Sequence, residues 1–274
     1  DAWNRLVKLE DGSGTVAQYE YDGAKRRTVK KTYASGTLSQ TRHFYYTEPS
    51  RWQVVEERIE SSSDAERQFV WGLRYVDDIV LRDRDTDDDG TLDERLYGLQ
   101  DATWNTTSLV TVSGATLERL QYDAYGATNI LTATFEPLES TTSDWENRLA
   151  GYPLDISTSL YAVRHRNLSI TVGWLQRDPL LRLDSLNLSL YAYCGDQPYR
   201  LTDPFGLLPA VVNPYASPSP ASFEGTARSS FWKIVIECLI GAGIGMAAEV
   251  ALALIEYWST GIRPPTLTRD VLRA

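Results

Sequence analysis

The sequence predicts a mainly β protein: a ribbon of antiparallel hairpins running to about residue 207, then a linker and one apolar helix. Three observations carry this. Short alternating runs rich in Val, Thr, Tyr and Trp fill the first half of the chain. Turn signals separate them at short intervals, and a weak internal repeat spaces them about 22 residues apart.

The first segment, residues 1–135, holds the strand-like strings "TVAQYEYD", "RRTVKKTY", "TRHFYY", "RWQVVEERI" and "ERQFVWGLRYV". Between them lie Asp11-Gly12-Ser13-Gly14, Asp22-Gly23, Ser35-Gly36, Ser61 to Asp64, Asp89-Gly90 and Ser113-Gly114, all turn chemistry. The repeat pairs "NRLVKLEDGSGT" with "KRRTVKKTYASGT", and a unit this small buries its apolar face only by stacking on its neighbours. Residues 136–150 read as a polar break. Residues 151–207 resume shorter strands, so that 136–207 form a second segment. Residues 208–230 are a Pro/Ser/Ala-rich linker, and 231–274 form the tail. The chain opens on Asp1 inside a patterned run (Trp3, Leu6, Val7, Leu9), as a piece of a longer polypeptide would, and shows no signal-peptide pattern.

A net charge of −10 over 274 residues argues against a nucleic-acid partner, because phosphate binding needs a basic face. Much of that charge is local. Residues 77–95 hold nine acidic side chains against three arginines, six of the ten excess negatives. Within them, "DTDDDGTLDE" offers Asp85, Asp87 and Asp89 at alternate positions, then Gly90, then Asp93. Calcium loops use that spacing, although the twelfth position is Leu96 and no helices flank it. A calcium site and a solvated hairpin tip are the two readings, and no other cofactor is expected. Cys194 and Cys238 make no metal spacing, and His43 and His165 stand far apart, so a Cys/His zinc site is not expected.

In the tail, residues 231–258 are apolar for long enough to span a bilayer, with Trp232 and Trp258 near the ends and Gly241, Gly243 and Gly245 between. Glu237 and Glu249 count against insertion. Membrane contact, a buried or amphipathic helix, and disorder are the alternatives. The tail has no histidine and no H-x-E or C-x-x-C arrangement, which argues against a nuclease or deaminase there.

"YDGAKRR" and "YDAYG" are similar to YD-repeat units. "LYAVRHRNLSITVGWLQRDP" followed by "LNLSLYAYCGDQPYRLTDPFGL" resembles the Rhs repeat-associated core domain. The shared string runs through Gly173-Trp174, Arg177-Asp178-Pro179, Tyr191-Ala192-Tyr193, Gln197-Pro198 and Asp203-Pro204-Phe205-Gly206-Leu207. An arginine usual after the first glycine is missing here. The resemblance covers about residues 1–207. It implies a β-ribbon that spirals into a hollow shell, as in Rhs polymorphic toxins and the C subunits of Tc toxins. It also implies a secreted or cell-surface location and two partners: the rest of such a shell and the chain's own C-terminal segment.

In the toxin branches the core domain cuts the chain after the D-P-x-G-L leucine. The resemblance therefore implies a self-cleaving aspartyl peptidase with Asp178 and Asp203 as catalytic acids, Arg177 beside the first, and Gly206, Leu207 and Leu208 at the junction. The chemistry asks for one ionised carboxyl to activate water and one protonated carboxyl to assist the carbonyl or the leaving amine. The alternative is a non-catalytic YD-repeat surface or secreted scaffold with a membrane-associated tail.

Overall fold

The structure is a computed structural model that describes residues 1–48, 50–180 and 189–211. Residues 1–216 cluster as one compact unit, and the description below is of that unit. The expected linker beyond residue 211, the apolar helix of 231–274 with its membrane contact at 231–258, and Cys238 lie outside the described residues.

Eleven strands follow one another in chain order and each pairs antiparallel with the next. They are β1 (Lys8–Asp11), β2 (Gly14–Tyr21), β3 (Arg27–Ala34), β4 (Thr37–Tyr46), β5 (Val54–Ile59), β6 (Arg67–Trp71), β7 (Ile79–Arg84), β8 (Glu94–Gln100), β9 (Thr106–Thr111), β10 (Thr116–Tyr122) and β11 (Thr128–Thr132). This is the expected hairpin ribbon. The turns explain the order. Ser35 and Gly36 both take positive φ between Ala34 and Thr37, which face one another, and two such residues give the twist a tight hairpin needs.

The polar run after β11 lies across the sheet as a strap. Its indole, Trp145, is 1% exposed and packs with Ile79, Leu96, Leu109 and Leu120. Gly98 makes room: a Cβ there would lie 2.7 Å from the indole. The polar residues of the strap meet buried polar groups of the sheet. Glu118, 2% exposed, accepts hydrogen bonds from Thr142 N (2.7 Å), Ser143 Oγ (2.7 Å) and Thr141 Oγ1 (2.8 Å). Composition made residues 136–150 look like a break because the matching carboxylate lies more than 20 residues away in sequence.

Four short strands follow: β12 (Leu154–Asp155), β13 (Leu160–Val163), β14 (Arg166–Ser169) and β15 (Gly173–Trp174). Their sheet carries the second core, in which Tyr152, Tyr161, Val163, Leu168, Trp174 and Tyr193 are all at most 2% exposed. β16 (Leu201–Thr202) and β17 (Ala210–Val211) close as a two-residue ladder around the 203–209 turn. Among the described residues no helix is long and apolar enough to cross a membrane.

Candidate active site

Val163 pairs with Arg166 across the tight turn Arg164–His165, which joins β13 to β14. Arg164 has φ +38, a conformation held by its ion pair to Asp77 at 2.7 Å. The 203–207 turn lies against this hairpin. Gly206 has φ +65, and a Cβ there would come within 2.8 Å of Val163 O and 3.1 Å of Arg166 N. Glycine is required on both counts.

Asp178 and Asp203, 25 positions apart, are 5% and 0% exposed and share one guanidinium. Arg166 Nη2 donates to Asp203 Oδ2 at 3.0 Å, and Arg166 Nη1 lies 3.7 Å from Asp178 Oδ2. Arg166 itself is buried over the Trp174 ring, 4.2 Å from the centroid. The other Asp203 oxygen, Oδ1, accepts the backbone N–H of Leu207 at 2.9 Å and of Leu208 at 3.0 Å. Asp178 Oδ1 accepts the Leu180 N–H at 2.8 Å, and the Asp178 N–H donates to Leu190 O.

Burial pushes the Asp203 carboxyl above the ordinary aspartate range. Arg166 and the two amides pull against that, and the charge of Asp178 adds to it. Tyr152 OH receives the Asp203 N–H at 3.1 Å. The Cys194 thiol, also buried here, is pushed well up by burial first and by Asp203 next, so it stays neutral. A cavity of about 120 Å³ reaches Arg166, Val163 and Tyr152 but is lined by neither Asp178 nor Asp203.

Arg177 takes a different place from the one the sequence pattern gives it. It is exposed, and its carbonyl accepts a hydrogen bond from Asn4 Nδ2 at 2.9 Å. The arginine between the acids is Arg166, which the sequence reading passed over. Its signal was the pair Arg164 and Arg166 in a run, residues 160–174, with no acid of its own to neutralise them.

The acidic loop gathers three of its four candidates. Carboxylate oxygens of Asp85, Asp87 and Asp89 lie within 4.8 Å of one another. The fourth, Asp93, accepts from Thr86 Oγ1 at 2.6 Å and Thr86 N at 2.9 Å. Asp85 caps Gly90 N at 2.8 Å. The negative charge of Asp89 raises Asp87, as an uncompensated hairpin tip does.

The family model RHS Repeat matches residues 1–38. The chain carries an Rhs repeat. Its fold is also that of a chain in the Tc holotoxin pore of Photorhabdus luminescens, at TM-score 0.53 and 22% identity over 76% of this chain and 10% of that one. A chain of the TcdB2–TccC3 complex gives TM-score 0.51 and 22% identity over 74% of this chain and 10% of that one. The same pair with Cdc42 gives TM-score 0.51 and 21% identity, covering 74% and 9%. The chain thus spans about a tenth of the chains it resembles, and at this identity the likeness is one of fold. No curated protein matches it.

Proposed function

We propose that residues 136–207 act as an intramolecular aspartyl peptidase that cuts the bond between Leu207 and Leu208, freeing a segment that begins at residue 208. The observation that carries this is the contact between Asp203 Oδ1 and the Leu208 nitrogen, the amine that would leave. In the reaction Asp178 takes a proton from a water as that water adds to the Leu207 carbonyl carbon. Asp203 in its acid form gives a proton to the Leu208 nitrogen, and the C–N bond breaks to a Leu207 carboxylate and a Leu208 amine. The raised Asp203 pKa favours that division of labour.

The hairpin ribbon of 1–135 would serve as part of a β-shell of the Rhs type, acting outside the producing cell. β1 sits at one edge of the sheet, where a further strand of such a shell would pair. The test is the intact mass of the purified full chain at neutral and mildly acidic pH. Two fragments meeting at Leu207 and Leu208, absent from Asp178→Asn and Asp203→Asn, are expected; a wild-type chain that keeps its full mass overturns the reading.

A further inference from the structure

Three consecutive residues, the two of the β13–β14 turn and the first of β14, each hold one of three consecutive carbonyls just before the junction. The Arg164 guanidinium donates to Pro204 O, the His165 backbone N–H to Phe205 O at 3.2 Å, and Arg166 Nε to Gly206 O at 2.6 Å. Arg164 also lies over the Phe205 ring, 5.1 Å from its centroid. Among the described residues beyond the junction, the Leu208 amide donates to Asp203, and Ala210 and Val211 pair with Thr202 and Leu201.

We propose that Arg164, His165 and Arg166 form a positioning clamp that sets which peptide bond meets the two aspartates and keeps the newly made Leu207 end docked. This rests on the proteolytic reading above. Successive carbonyls of a chain point in different directions, so three donors on successive residues fit one alignment of the 203–207 turn, and a slip of one residue breaks all three bonds together. Cleavage between Leu207 and Leu208 leaves these three carbonyl contacts of residues 204–206 intact.

The clamp residues act through the backbone they hold, so their test needs a readout that mere loss of stability would not move. In the full chain, Arg166→Lys keeps the charge and loses the planar fork. The cut is expected to slow at least tenfold, and the fragment masses are expected to include boundaries one residue from Leu207. Arg166→Ala is expected to stop the cut, and millimolar guanidinium to restore it where methylammonium does not. After cleavage, the fragment ending at Leu207 should show unchanged protection of the His165 amide from hydrogen exchange.

Arg166→Lys cutting at the wild-type rate and site, with the cut still abolished by Asp203→Asn, overturns the clamp and leaves the peptidase reading standing. A wild-type chain that never cuts overturns the peptidase. There the clamp is judged by exchange alone: the His165 amide must exchange at least tenfold faster in Arg166→Ala than in wild type, and equal rates overturn it.

Discussion

Asp203 Oδ1 lies 3.0 Å from the backbone nitrogen of Leu208 and 2.9 Å from that of Leu207, so a single carboxylate oxygen addresses both residues of the proposed scissile bond. The two protonation states of Asp203 then do opposite things. Ionised, it accepts both N–H groups and holds the junction still. Protonated, it presents an O–H where the leaving nitrogen gains its lone pair.

The pH dependence follows. Burial raises the Asp203 pKa, so the acid form persists to higher pH than for an ordinary aspartate and is lost as pH rises through the raised value. The cleavage rate is expected to fall along its alkaline side. Timed intact-mass measurements across pH check this, and a rate that climbs steadily into the alkaline range removes Asp203 as the acid.

Gly206→Ala tests the turn itself. The new methyl would sit 2.8 Å from Val163 O in a backbone with φ +65, and both penalties fall on the segment that carries the junction. A loss of about 1–3 kcal/mol is expected, together with a cut slowed about tenfold or more. Gly12→Ala, where no atom lies within 4 Å, is the control and should stay within about 0.5 kcal/mol of wild type in urea unfolding.

The ribbon was legible in the sequence because hairpins announce themselves locally, by period-two runs and by turns such as Ser35-Gly36. The two aspartates were legible only through the resemblance, since an Asp-Pro pair alone is an ordinary turn starter. What stayed hidden is what pairs at long range. Arg166 meets Asp203 across 37 positions, and Arg164 meets Asp77 across 87. Arg177 drew attention because it adjoins Asp178 in the chain, yet in the loop after β15 Asp178 is buried where Arg177 is exposed.

Arg67 tests the strap. Its side chain is buried among Glu57 (3.5 Å), Glu66 (3.2 Å), Glu146 (3.2 Å) and Asp144 of the strap. Arg67→Met would leave Glu57 and its neighbours without that cation, a loss of about 3–5 kcal/mol. Adding Glu57→Gln should recover part of it. Denaturant midpoints for the three chains check this, and an unchanged midpoint in the single variant shows that water serves the nest as well as arginine does.

His165 gives the stability of this region a pH window of its own. Burial first, then the charges of Lys25, Arg164 and Arg166, lower its pKa from 6.5 to about 4, while its ring stands edge-on to Trp52 at 5.3 Å. Folded, it stays neutral where the unfolded chain binds a proton, so its contribution is complete above pH 6.5 and is lost as pH falls toward 4. With allowance for its partial exposure, that amounts to about 2 kcal/mol. Asp155, held near 2 by burial countered by Lys30 and Arg27, gives up its share only below 3.8, outside this window. The buried acids with raised values, Asp203, Asp77 and Glu57, work in the opposite sense, so wild type alone does not isolate the histidine. His165→Phe keeps a ring against Trp52 and removes the proton site. Its stability is expected to fall less steeply than wild type as pH falls through the window, and parallel curves would mean that the imidazole titrates in the fold as it does in the open chain. Because the same residue gives its amide to Phe205 O, protonating it would place a third cation in the turn beside the Arg164 and Arg166 guanidiniums and loosen the hold on the junction.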